Sequence, residues 1–284
     1  MRRLVTIEDL SGDITEALRE IEALGPLYEE FKKNDDKYRE IILEIGGDGS
    51  RSVGVHASEV SGCLRKMVYS MSEVDKKVRS EDADVNMRMR FQLGHVLHAL
   101  VQSDVQHMCA ETMGEMVFED EVKISPELGG TAEQYNVHSH SDGVFTKLDK
   151  EFNPTLRVNF EIKTMSGPEY DKLTKPKPEH VEQAHVYMKC LDVPVTWFFY
   201  YNKSNSNWTK PRAPFLITFD HKIWDRIENR IKRAYKYIGD GELPNREEGR
   251  PCGWCPFASK CNPMYLKLRS TKSSGRKAPP RKVR

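Results

Sequence analysis

The chain contains no apolar run approaching the length of a membrane span, and its first residues lack the apolar stretch of a secretory signal. A membrane protein is therefore not expected, and the expected location is cytoplasmic, in a cell or in a virus-infected cell. Net charge is nearly missing as well, +1 over 284 residues, so no global attraction to a polyanion can be argued. Cysteine is scarce, at six residues, and in a reducing compartment these do not read as a disulfide framework. No internal repeat is present, which excludes a solenoid. What remains is an ordinary globular composition, 38% hydrophobic and 31% charged, long enough for one large domain or for a core with an extension.

The charge lies unevenly. Residues 262–284 hold eight basic side chains and no acidic ones, leaving about −7 for residues 1–261. Such a tail can touch phosphates, because backbone contacts require only positive charge within reach. The alternative is a disordered, solubilising end.

Helical spacing recurs in residues 1–50, first in Ile14, Leu18, Ile21 and Leu24, then in Tyr38, Ile41, Ile42 and Ile45. This extension carries no candidate chemistry. It reads as a packing or partner-binding hairpin, through which the chain could meet another protein or a second copy of itself. Helices are then expected over 58–72 and 85–113, strands over 116–124, 135–148 and 156–163, a helix over 179–190, strands over 195–201 and 214–219, and a helix over 220–238. That order describes an α/β protein, a mixed β-sheet flanked by helices. The domain reading is a helical extension (1–50), a core (51–262) and a basic tail (263–284).

The central chemistry is Ser141-Asp142-Gly143-Val144, followed nineteen residues after the Asp by Glu161-Ile162-Lys163. Alternate side chains of a strand point the same way, so Glu161 and Lys163 share a face while Ile162 turns into the core. Asp142 on a neighbouring strand can meet them. Two carboxylates suit a hard divalent cation such as Mg²⁺. A lysine beside it can orient or deprotonate a water and offset phosphate charge, the parts needed for phosphodiester hydrolysis. The same residues also arise by chance as a solvated cross-strand pair, so their neighbours decide. His98, on the long helix, can add a nitrogen ligand, although a lone helical His is more often structural. His95 and His185 rank below it. Gln183 and Tyr187 lie four apart on one helical face and can hold a phosphate or the attacking water, or simply form a polar rim.

Cys252-x-x-Cys255-x5-Cys261 places three thiols in one loop. A closed site requires a fourth, and Cys63, in a Ser-Gly-Cys-Leu-Arg-Lys context, is the best candidate. Cys109 and Cys190 read as small buried hydrophobes. Four cysteines suit either Zn²⁺ or a [4Fe–4S] cluster. The long separation of Cys63 from the other three suits a staple between two ends of a domain more than a local zinc finger.

Taken in order, Cys63, Gly94-x-x-x-His98, Asp142, Glu161-x-Lys163, Gln183-x-x-x-Tyr187, Cys252, Cys255 and Cys261 resemble the RecB-like nucleases of the PD-(D/E)XK superfamily that carry an iron–sulfur cluster. The likeness is greatest to the CRISPR-associated RecB-like exonucleases and similar phage nucleases, and it spans residues 58–262. It implies a restriction-endonuclease-like fold. It implies Mg²⁺ or Mn²⁺ held by His98, Asp142, Glu161 and the main-chain carbonyl of Ile162, with Lys163 activating the water and Gln183 and Tyr187 placing the scissile strand. The four cysteines would bind a structural [4Fe–4S] cluster, and the substrates would be DNA ends and single strands. Ser141 stands where the superfamily's name has proline, and Ser139 where Gly is frequent; neither change removes a ligand.

The function expected is a metal-dependent DNA nuclease, an exonuclease of recombination, repair or phage DNA processing. A second reading is a non-catalytic DNA-end-binding or viral structural subunit built on the same fold, marked by binding without turnover. A third is a zinc-stabilised nuclease of restriction type, marked by colourless protein with stoichiometric zinc.

Overall fold

The computed structural model describes residues 52–72, 85–204, 215–247, 252, 255 and 257–261. The helical extension expected over 1–50 and the basic tail expected over 263–284 lie outside the described residues. In chain order the elements are α1 (Leu64–Met71), α2 (Val85–Glu111), β1 (Met116–Ile124), α3 (Gly130–Gln134), β2 (Ser139–Leu148), β3 (Pro154–Met165), α4 (Gly167–Asp171), α5 (Pro178–Leu191), β4 (Val195–Asn202), β5 (Phe215–Thr218), α6 (His221–Gly239) and α7 (Ala258–Cys261).

The strands form one sheet in the order β1-β2-β3-β4-β5. β3 and β4 run parallel; every other neighbouring pair is antiparallel. A parallel pair demands a crossover, which α4 and α5 supply. The mixed sheet flanked by helices, expected from the order of periodicities, is therefore present.

Strand alternation assigns the two faces. Leu156, Val158, Phe160 and Ile162 of β3 are buried with Phe145, Trp197 and the α2 residues Val101, Val105 and Met108. Phe145 and Trp197 stack at 5.5 Å between ring centres. Burying side chains of this size contributes about 2–3 kcal/mol each. The next residues along β2 and β4, Val144 and Phe198, join the opposite core with Leu64 and Met67 of α1, Met188 of α5, and Trp224 and Ile231 of α6. Asn159, Glu161 and Lys163 have the parity of that second face, which brings Lys163 to α5. The α6 helix starts where Asp220 caps it, its carboxylate accepting the Lys222 N–H at 2.8 Å.

Two expected boundaries shift by more than two residues. The helix expected over 58–72 is divided into a 3₁₀ turn at Ala57–Glu59 and α1, which starts only at Leu64. The chain turns at Gly62, whose N–H bonds the Glu59 carbonyl at 2.9 Å. Cys63 is thus the N-cap residue of α1 and not part of the helix interior. The strand expected over 135–148 begins at Ser139, because the chain first winds into α3 behind Gly129 and Gly130, both at positive φ.

Candidate active site

Asp142 stands where two ladders break. The β1–β2 pairing includes Asp120↔Gly143 and Val122↔Ser141, with no Glu121↔Asp142 pair between them. The β2–β3 pairing starts at Gly143↔Phe160 and does not reach Asp142. The Asp142 side chain bonds across instead: Oδ2 accepts the main-chain N–H of Ile162 at 2.6 Å, and Oδ1 lies 3.1 Å from His98 Nδ1. Gly143 follows because the Phe118 ring covers it; a Cβ there would sit 2.2 Å from the ring and 3.0 Å from the Glu119 carbonyl. Beneath, the buried Ser141 hydroxyl donates to Asn159 Oδ1 at 2.5 Å, and Asn159 donates to Thr196 Oγ1 at 3.0 Å. Serine at 141 therefore belongs to a satisfied polar network under the site.

Glu161 is 1% exposed. Its Oε1 is paired with Lys163 Nζ at 2.5 Å, while its Oε2 is buried without a hydrogen-bond partner. Burial pushes the Glu161 carboxyl up to about 7, against the pull of Lys163. Lys163 also donates to Gln183 Oε1 at 3.0 Å, and Gln183 Nε2 donates to the Tyr187 hydroxyl at 2.7 Å. Burial pushes Lys163 down, but Glu161 and Asp142 outweigh it and raise the ammonium above its usual value. For His98 burial likewise acts downward, and the Asp142 charge and hydrogen bond reverse the sign. Asp142 is the complement: burial pushes it up, and His98, Lys163 and the Ile162 N–H bring it below the carboxylate range.

His98, Asp142, Glu161, Lys163, Gln183 and Tyr187 all line one cleft of about 890 Å³. Ile162 lines it as well; its side chain is wholly buried in the α2-facing core, so the main chain is what reaches the cleft. His95 lines the same cleft. His185 does not. Its Nδ1 donates to the Val181 carbonyl at 2.7 Å and its Nε2 accepts the Asp220 N–H at 3.0 Å, tying α5 to the start of α6. Burial pushes its pKa down.

Several lining residues went unread in the sequence, among them Glu121, and so did Gln102, which bonds the Asp142 main chain from behind the cleft. Gln102 lies four residues after His98 on α2, a spacing that puts both on one helical face and could have exposed it. Glu121 gives no local signal, since it sits among the charged residues of β1.

Among the described residues, no three His, Cys, Asp or Glu side chains surround a common point at ion-binding distance. In the cleft, His98 is paired with Asp142 and Glu161 with Lys163. The donor set nevertheless fits a hard cation: two carboxylates, an imidazole and a main-chain group, with Glu161 Oε2 a buried acceptor that no protein group satisfies.

Cys255 has Cys63 and Cys252 as neighbours, and Arg65 of α1 reaches Cys261, but among the described residues the four thiols do not surround a common point at ion-binding distance. Burial raises the Cys255 thiol's pKa, and the neighbouring Cys63 and Cys252 add to the shift. Arg65 reaches Cys261 Sγ at 3.6 Å and the Pro244 carbonyl at 2.8 Å. Glu247 Oε1 accepts the Leu64 N–H at 3.1 Å and Arg230 Nη2 at 2.9 Å, and Arg230 also donates to the Gly62 carbonyl. Tyr69 stacks on Phe257 at 5.2 Å. Cys109 is buried among the α2 core residues, and Cys190 packs against the other core. Burial pushes both thiols up to about 12.

Fold and cleft together define a class: a mixed-sheet α/β protein in which β2 and β3 present two carboxylates and a lysine between helices α2 and α5. No family model matches the chain, and no curated protein matches it in sequence. Among solved structures it is similar to the crystal structure of SSO0001, with 15% identity, 89% of this chain and 98% of that one covered, and a TM-score of 0.44. It is also similar to the crystal structure of LHK-Exo in complex with dAMP, with 15% identity, coverage of 78% and 94%, and a TM-score of 0.45. A crystal structure of the alkaline exonuclease LHK-Exo from Laribacter hongkongensis aligns at 14% identity, with the same coverage and a TM-score of 0.39. Scores this low transfer nothing from those proteins to this chain. No helix among the described residues is long and apolar enough to cross a membrane.

Proposed function

We propose that the protein is a divalent-cation-dependent deoxyribonuclease, acting as an exonuclease on DNA ends or single strands in recombination, repair or phage DNA processing. One observation carries this reading: Asp142 of β2 and Glu161 and Lys163 of β3 meet His98 of α2 and Gln183 and Tyr187 of α5 in one cleft. In it, His98, Asp142, Glu161 and the Ile162 main chain hold Mg²⁺ or Mn²⁺. The bound ion supplies Lewis-acid polarisation of the phosphate and a more acidic water. Lys163, fixed between Glu161 and Gln183, orients the water and offsets charge developing on the phosphate. Gln183 and Tyr187 position the scissile strand. Cys63, Cys252, Cys255 and Cys261 hold a [4Fe–4S] cluster as a structural staple, with zinc as the alternative occupant.

The test is digestion of end-labelled single- and double-stranded DNA in Mg²⁺ and Mn²⁺, beside the Glu161→Ala variant. Stepwise shortening by the wild type and none by the variant is expected. Persistent Mg²⁺-dependent cleavage by the purified variant would overturn the assignment. Wild-type binding to DNA ends without turnover in Mn²⁺ would establish a non-catalytic DNA-end-binding role. A brown, iron-containing protein after anaerobic purification is expected; a colourless one with stoichiometric zinc would replace the cluster by zinc.

A further inference from the structure

Gln102 and Glu121 lie outside the ligand set above, yet both bear on the residue at its centre. The β1–β2 register is the same on either side of the missing Glu121↔Asp142 pair, so no residue has been inserted. The break comes from backbone conformation: Glu121 holds φ at 45°, in the left-handed region that costs a non-glycine residue on the order of 1 kcal/mol. Something must hold that conformation in place.

Gln102 provides the hold. Its Nε2 donates to Glu121 Oε1 at 2.8 Å and to the Asp142 main-chain carbonyl at 2.7 Å. Both partners are pure acceptors, so only the NH₂ end of the amide can face them. Gln102 is 5% exposed, and hydrogen bonds in such a site are stronger than in water. Because Gln102 is one turn beyond His98, helix α2 delivers both a group that faces the Asp142 carboxylate and a group that fixes the Asp142 main chain. We infer that Gln102 and Glu121 are a positioning pair: Gln102 clamps Asp142 out of the ladder, Glu121 fixes the clamp's amide, and together they set the cation affinity of the cleft. This rests on the nuclease reading only through its cation site.

Groups that orient ligands typically contribute about 10–100-fold in metal affinity. The experiment is Mn²⁺ titration of the DNA-free protein by calorimetry, with cleavage rates measured against Mn²⁺ concentration. Gln102→Leu and Glu121→Ala should weaken Mn²⁺ binding about 10–100-fold, and raising Mn²⁺ should restore much of kcat. Glu121→Gln retains an acceptor for the Gln102 amide and should recover the lost affinity. If Gln102→Leu fails to fold, the exposed Glu121 still separates the outcomes. Wild-type affinity in Glu121→Ala overturns the inference. Glu121→Gln as weak as Glu121→Ala overturns it too, because Glu121 is then itself a ligand. Wild-type protein that takes up no Mn²⁺ sinks the nuclease reading and this inference with it, whereas tight wild-type binding with unaffected variants sinks the inference alone.

Discussion

The Asp142 carboxylate meets Ile162 the way a neighbouring strand would: its Oδ2 accepts the Ile162 main-chain N–H at 2.6 Å. The other oxygen faces His98 at 3.1 Å. One side chain thus closes a gap in the sheet and belongs to the proposed cation site, and substitutions there separate the two roles.

Asp142→Asn keeps an oxygen for the Ile162 N–H and removes the charge. DNA cleavage should fall by about 10³-fold or more, the equivalent of several kcal/mol at the transition state, while the thermal midpoint stays near that of the wild type. Asp142→Ala also strands the N–H and should lose about 1–3 kcal/mol of stability. Single-turnover cleavage and thermal melts measure the two effects side by side; an Asn variant that melts like the Ala variant would contradict the division.

In the metal-free protein the stability contributed by Glu161 should be lost as pH rises from about 5 to about 8, whereas His180, pushed down to about 3 by burial, and His185, lowered by burial as well, act in the opposite sense below 6.5. Burial raises the Glu161 carboxyl from 4.5 to about 7, so across that interval the folded chain keeps a proton that the unfolded chain has released. His98, raised above 6.5 by Asp142 against the effect of burial, acts in the same sense: its contribution is full below 6.5 and lost as pH passes its folded value. The Glu161 contribution is of order 3 kcal/mol at most. Melts of EDTA-treated wild type and Glu161→Gln check this: the wild-type midpoint minus that of the variant, which has no such proton to lose, should fall across the interval. A difference that rises over the same range would contradict it.

Gly143→Ala forces a Cβ to within 2.2 Å of the Phe118 ring and 3.0 Å of the Glu119 carbonyl. Overpacking of this kind costs about 1–3 kcal/mol, and the displaced strand adjoins Asp142, so activity should drop with stability. Gly239→Ala is the control. Nothing lies within 4 Å of a Cβ there, and at the end of α6 alanine should be neutral or stabilising by up to about 1 kcal/mol. Equal melting shifts for the two variants would rule out the steric account.

Glu247→Ala removes the acceptor shared by the Leu64 N–H and Arg230. The hydrogen bonds lost are worth about 1–3 kcal/mol to a charged partner, and they hold the α1 end of the cysteine set against the C-terminal segment. Iron per chain after anaerobic purification should fall, with the far-UV spectrum of the core retained. Full iron occupancy in this variant would show that the thiols are held without the clamp.

Strand and helix existence was legible because it rests on local periodicity. β1 runs over the residues expected, and β3 buries Ile162 while turning Glu161 and Lys163 the other way. The boundaries that moved did so at glycines, Gly62 and the Gly129–Gly130 pair, where a turn interrupts an apolar pattern that continues across it. Reading His98 above His185 follows helix position only weakly; burial between α5 and α6 is what takes His185 out of the cleft.

The sequence by itself determined the parity of β3, the pairing of Gln183 with Tyr187 on one helical face, and the clustering of three cysteines in one loop, because each depends on residues a few positions apart. Only the tertiary structure decided that Asp142 would leave both ladders, that Glu121 would turn left-handed beside it, and that Gln102 would bridge the two. A broken ladder is a relation between strands, stabilised by a helix that precedes both, and no repeat within one segment encodes it.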